Sequence, residues 1–207
     1  MKHNTLGAGL LSILAVVSAA TPQQTIPEMV AANPGKPLTI LYTERAPQMP
    51  FAQLIDSAEL IVIAQLGPPK SYLSASGQTI LTDYQVIPRR MIVDRSFTLM
   101  STRPEQLSPL TLTVPGGEML IDGVKVTLSD SGCVPWTQGA DVLLFLLNRE
   151  DKRNGFWLHG SSAGAFEVGS DGRVKALSKG RKEPEIDGVE LQQVVQKIAA
   201  RVTERDK

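Results

Sequence analysis

The chain holds one cysteine, Cys133, among its 207 residues, so no disulfide can close within it and stability outside the cytoplasm has to come from packing. That thiol reads as a buried small hydrophobe, with a reactive or intermolecular role as the alternative. Histidine is nearly as scarce, with only His3 and His159 present. So few nitrogen and sulfur ligands exclude a zinc or copper cluster, and no H-E-x-x-H occurs, so neither metal nor cofactor is expected. Aromatic residues make up 5% of the chain, too few to interleave with the bases of a nucleic-acid strand. Charge of either sign is not in excess, since Lys and Arg total 21 and Asp and Glu total 21. No overall field draws nucleic acid or an anionic membrane.

Long apolar runs are also missing. The longest candidate, Leu6 to Val17, is broken by Gly7, Gly9 and Ser12 and is too short for a bilayer core of roughly 30 Å, which needs about 20 apolar residues. What this stretch does fit is a secretion signal. Lys2 precedes it, and Val17-Ser18-Ala19-Ala20 places small residues where a signal peptidase cuts. The expectation is a leader over 1–20 and a chain that works in the periplasm or outside the cell, with no transmembrane segment. Cleavage would remove His3 and leave His159 as the remaining histidine.

Prolines crowd the next segment, at 22, 27, 34, 37, 47 and 50, and at that density they remove the donors that helices and ladders need. Residues 21–50 therefore read as an extended arm with one short strand at Leu38–Tyr42. Residues 51–178 read as a single β domain of a size that supports one core. A short helix carrying Phe51, Leu54 and Ile55 at helical spacing hands over to the apolar run Leu60-Ile61-Val62-Ile63-Ala64. Gly67-Pro68-Pro69 is expected to stop that strand, and Pro88 to bend or bulge the next one. Asp122-Gly123 joins two alternating segments and fits a two-residue turn with both residues at positive φ. Val142 to Leu147 is the most apolar stretch and reads as the central strand.

The period changes near the end. Residues 179–207 read as a charged linker followed by a helix with Leu191, Val194, Val195, Ile198 and Val202 on one face, opened by Asp187 and Glu190 as a variant capping box. The fold class expected is mainly β, an antiparallel OB-like barrel with a short N-terminal helix and a C-terminal amphipathic helix.

Candidate sites are few. Gly160-Ser161-Ser162-Ala163-Gly164 matches G-x-S-x-G, the strand-to-helix elbow of serine hydrolases. The reaction needs a histidine base placed after the serine, whereas His159 comes three residues before Ser162, and a strand-like alternation follows Gly164. The motif reads better as a small-residue bulge, and no catalytic residue is assigned. Asp122-Gly123 and Asp171-Gly172 lack the preceding carboxylates of a calcium loop. Pro115-Gly116-Gly117 lacks the lysine of a phosphate loop and reads as a corner in the sheet. Arg89 and Arg90, with Arg95 nearby, form a basic cluster, and Trp136 sits in a Gly/Ser/Pro-rich loop over 129–139 that can present it outward. Trp136, Arg89 and Arg90 are the binding residues expected.

Five short segments occur in a recognisable order: Ala58 to Ala64, Thr82 to Val86, Leu112-Thr113-Val114-Pro115-Gly116-Gly117, Gly139 to Leu146, and Gly164 to Val168. In this order they resemble a group of uncharacterised bacterial exported proteins with a β-barrel domain, over about residues 56 to 168. The layout is distantly similar to the netrin-like and OB-like barrels of secreted metalloproteinase inhibitors. Those use an amino-terminal cysteine and several disulfides, which this chain lacks, so the similarity implies a barrel and not their chemistry. The function expected is an exported, non-enzymatic module that binds a protein or cell-envelope partner. A serine hydrolase acting through Ser162 and a secreted protease inhibitor are the alternatives.

Overall fold

A computed structural model describes residues 13–16, 24–42, 49–95, 109–130, 136–151, 155–177 and 186–205. In chain order the elements are β1 (Ile13–Val16), α1 (Ile26–Ala32), β2 (Leu38–Tyr42), α2 (Phe51–Ser57), β3 (Leu60–Leu73), β4 (Ile80–Asp94), β5 (Leu110–Pro115), β6 (Gly117–Ile121), β7 (Val124–Asp130), β8 (Asp141–Asn148), β9 (Gly155–Leu158), β10 (Ala165–Val168), β11 (Val174–Ala176) and α3 (Leu191–Arg205). The fold is mainly β. The expectations for Cys133 and for the linker over 179–184 lie outside the described residues.

Two sheets form, and their strands run in mixed directions. One has seven strands in the order β11-β10-β8-β3-β4-β5-β9, and the other has four in the order β1-β2-β7-β6. Strand β9 also pairs with β8, so the larger sheet folds back on itself. The expectation of an antiparallel barrel is corrected here, because β5 pairs with β9 in parallel, as do β1 with β2 and β2 with β7. A parallel neighbour needs a long crossover. The chain between β5 and β9 supplies one, through β6, β7 and β8. That pairing is non-local and leaves no trace in strand alternation.

At β8 the larger sheet is buried on both faces, which is why this strand reads as a continuous apolar run, with Val142 to Leu146 all buried. On one face Phe145 packs with Phe51, Leu54 and Ile55 of α2 and with Val194, Val195 and Ile198 of α3. On the other, Leu144 and Leu146 meet Val62, Val86, Leu112 and Phe156. The second sheet has its own cluster, with Ile26 and Val30 of α1 against Leu38, Ile40 and Val126.

Local chemistry explains most element ends. Asp122 and Gly123 turn the β6–β7 hairpin at φ of 50° and 77°, the geometry that an Asp-Gly pair favours. Pro88 does open a bulge, since Ala64 faces Pro88 while Ile63 faces Arg90. Gly67-Pro68-Pro69 does not stop β3 as expected. The ladder skips there, from Leu66–Val86 to Pro69–Tyr84, and the bulge spares both exposed prolines from donating. The arm is not extended throughout either. Thr25 and Glu28 form a reciprocal capping box that starts α1 with a proline in its first turn, where proline costs no hydrogen bond. At α3 the expected cap is absent, because the Asp187 carboxylate accepts the Ala176 N–H at 3.1 Å instead.

Arg95 has a structural task. Its guanidinium donates to the carbonyls of Ile55, Asp56 and Ala58 at 2.7, 3.2 and 2.8 Å, capping the end of α2, where unpaired carbonyls gather. The Arg95→Met substitution is expected to cost about 1–2 kcal/mol, the scale of lost charged hydrogen bonds, read as a lower urea midpoint with an unchanged m-value. On the same helix Asp56 accepts two bonds from Arg201 of α3, at 3.0 and 2.5 Å, and this partner holds its carboxyl below the usual carboxylate range.

Candidate functional site

Six strands and the turns beside them converge on one cleft of about 510 Å³, whose walls include Tyr42, Tyr84, Trp136 and Trp157. Strand β4 contributes Thr82 and Tyr84, β5 contributes Thr113 and Val114, and the Pro115-Gly116-Gly117 corner lies between the two sheets. Leu128, Ser129 and Asp130 at the end of β7 line the cleft beside Tyr42 from β2, with Trp157, Leu158 and Ser162 across from them. Tyr84 and Trp136 stack with ring centroids 5.4 Å apart and planes 27° off parallel, the offset arrangement that aromatic quadrupoles favour.

The glycine corner is what lets the two sheets meet. Gly116 and Gly117 sit at φ of 98° and 132°, conformations open to glycine. A Cβ on Gly117 would stand 2.1 Å from the Thr82 hydroxyl and 2.6 Å from that of Ser71. Thr82 donates to the Gly116 carbonyl at 2.6 Å, so the Ser71 hydroxyl, 2.9 Å away, donates to Thr82. Both hydroxyls are thereby locked against the bend.

A polar network backs the opposite wall. Asp83 accepts bonds from Thr113 at 2.6 Å and from Tyr72 at 3.3 Å. Arg149 donates to the same Thr113 and Tyr72 oxygens at 2.7 and 3.3 Å and grips Asp151 with two bonds of 2.6 and 2.8 Å. These partners, Asp151 first, keep the guanidinium charged. Its carbon lies 4.5 Å from the centre of the Trp157 ring, within cation–π range. The network holds Trp157 in place from behind.

The G-x-S-x-G segment has a structural account. Strands β9 and β10 share one edge of β8, at residues 146–148 and 141–144 respectively, and the segment bridges the gap between them. Gly160 turns at φ of 66° and a 3₁₀ turn spans Ser161–Gly164, where a nucleophile elbow leads into an α-helix. A Cβ on Gly164 would lie 2.1 Å from the His159 carbonyl, so close backbone approach explains that glycine. The His159 ring is engaged by Ser57 of α2. Its Nε2 lies 2.7 Å from the Ser57 hydroxyl, and Ser57 itself donates to the Gln53 carbonyl at 2.5 Å. With that proton spent, Nε2 carries the hydrogen and donates to Ser57, which leaves the serine unactivated.

Burial holds the His159 pKa below the ordinary 6.5, against an opposing pull from Glu59. The unfolded imidazole takes up a proton below about pH 6.5 while the folded one resists, so its contribution to stability is present above that pH and lost as pH falls through it. We expect the urea midpoint to drop between pH 7 and 5. The drop should be smaller in His159→Gln, which keeps a donor for Ser57.

Of the expected site residues, Trp136 is in the cleft. Arg89 and Arg90 are exposed on β4 beyond the Pro88 bulge, five or six residues from Tyr84, about 17–20 Å along a strand. Arg89 donates to Gln65 at 2.7 Å. The sequence does not single out Tyr84, Trp157 or Tyr42, because their convergence depends on strand pairing. Among the described residues no group of His, Cys, Asp or Glu is placed to hold a metal ion, and no helix is long and apolar enough to cross a membrane. The chain matches no family model, and no curated protein matches it.

Proposed function

We propose that this protein is an exported, non-enzymatic binding module and that the aromatic cleft is its binding site. The observation that carries the reading is the cleft itself. Its volume of about 510 Å³ falls in the range of small-ligand sites, roughly 300–1,000 Å³, and apolar walls with a few polar groups are typical of them. The same chemistry suits a projecting segment of a protein or envelope partner.

Two further observations support the picture. The apolar run and small residues over 1–20 suit a cleaved leader, and removing them takes away β1 while β2 keeps its full pairing with β7 over Leu38–Tyr42. The order β3-β4-β5-β9-β8, with β5 and β9 parallel, supports an OB-like reading of that part of the larger sheet. In that reading the β6–β7 hairpin occupies the connection between the third and fourth strands.

The test is retention of an envelope component by the purified protein. Wild type should retain it specifically and Trp136→Ala should not, while their unfolding free energies agree to within about 1 kcal/mol, as befits a half-exposed side chain. Turnover on a broad hydrolase panel that disappears in Ser162→Ala would overturn the non-enzymatic reading.

A further inference from the structure

We infer that the cleft takes a neutral saccharide, with the apolar face of a sugar ring laid on the outer ring face of the Tyr84–Trp136 stack. This rests on the cleft being the binding site and adds the class of ligand.

Three properties of the walls select that class. Stacked rings cover each other's inner faces, so the Tyr84–Trp136 pair, 5.4 Å apart, presents as its platform the outer face of a half-exposed ring, whose negative π cloud attracts the weakly positive C–H groups on one side of a pyranose. Around that platform are oxygen groups, with Ser129, Asp130, Ser162 and Thr127 among the lining residues. Sugar hydroxyls both donate and accept, so they can satisfy serine and threonine hydroxyls and a carboxylate together. A purely hydrocarbon ligand would desolvate those oxygens without replacing their bonds.

Charge makes the third selection. The charged residues in the described lining are Glu118 and Asp130, both acidic. Lys125, which pairs with Glu118 at 2.7 Å, is not among the lining residues. Arg149 sits behind Trp157 and is held by Asp151, Thr113 and Tyr72. A phosphate, sulfate or uronate would therefore enter beside these carboxylates, which repel it.

Both tryptophans of the chain line the cleft, so intrinsic emission reports on it directly. The experiment titrates the purified protein with chitotriose, maltotriose, the anionic trigalacturonate and a capped uncharged tetrapeptide, following emission and, for tryptophan variants, titration heat. The expected result is saturable binding of at least one neutral trisaccharide, weakened tenfold or more in Trp136→Ala but only a few-fold in Trp136→Phe, which keeps a stacking ring. Trigalacturonate should bind at least tenfold more weakly than that sugar. If the tetrapeptide binds in a Trp136-dependent way and the neutral sugars do not, the cleft stands as a binding site and the saccharide assignment falls. Preference for trigalacturonate, binding unaffected by Trp136→Ala, or no binding of either neutral sugar also overturns it.

Discussion

Truncating Phe145 to alanine is expected to destabilise the protein by about 3–5 kcal/mol, the range measured for buried aromatic truncations that leave a cavity. Phe145 is fully buried, and its ring meets Phe51 and Phe166 edge to face, at 5.8 and 5.9 Å. Strand β8 holds it between β3 and the strands on its other edge, with Ile61 as its partner on β3, and its carbonyl accepts the His159 N–H at 2.8 Å. The surrounding groups are tied into both sheet and helices, so the site cannot collapse. A domain with typical stability of about 5–15 kcal/mol loses a large part of it. Chemical unfolding at pH 7 checks this, and Phe145→Leu should cost about 1–2 kcal/mol, since most of the volume remains. A loss under about 1 kcal/mol for the alanine variant, below the range for such truncations, would show that the three-ring packing does not hold the core.

The second large effect is expected from Gly117→Ala, at about 3–5 kcal/mol. Strain at a positive φ contributes about 1–3 kcal/mol and forced overpacking a similar amount. The added carbon would lie 2.1 Å from the Thr82 hydroxyl and 2.6 Å from that of Ser71. Trimming both neighbours, as Ser71→Ala and Thr82→Ala in the same chain, should recover part of the packing loss and none of the backbone strain. Because Gly116 and Gly117 also line the cleft, the single variant should lose ligand binding together with stability. Undiminished binding and an unchanged urea midpoint in Gly117→Ala would mean that the corner is softer than its contacts imply.

Features with local causes are legible in the sequence. The Asp122-Gly123 turn, the Pro88 bulge, the apolar strand β8 and the Val194, Val195, Ile198 face of α3 each follow from a few neighbouring side chains. The start of α1 is written there too, in Thr25 and Glu28, but the surrounding prolines mask the capping box. Pairing between distant segments is not legible in this way. Nothing in the alternation of β5 or β9 sets them side by side in parallel, and nothing near Tyr84 announces Trp136 as its stacking partner. The cleft is therefore only partly visible in the sequence. Trp136 stands out by its loop, while Tyr84 and Trp157 look like ordinary strand residues. The G-x-S-x-G letters show the reverse case, in which close backbone approach at Gly164 and a left-handed turn at Gly160 produce a catalytic-looking pattern.

The claim that binding occurs on the Tyr84–Trp136 platform is tested most directly by following Trp136 emission alone. In a Trp157→Phe variant Trp136 is the remaining tryptophan, and the neutral trisaccharide is added stepwise while its binding is measured in parallel by titration heat. A saturable change in emission with the same midpoint as the heat is the predicted result; saturable heat with unchanged Trp136 emission would place the ligand elsewhere and contradict the account.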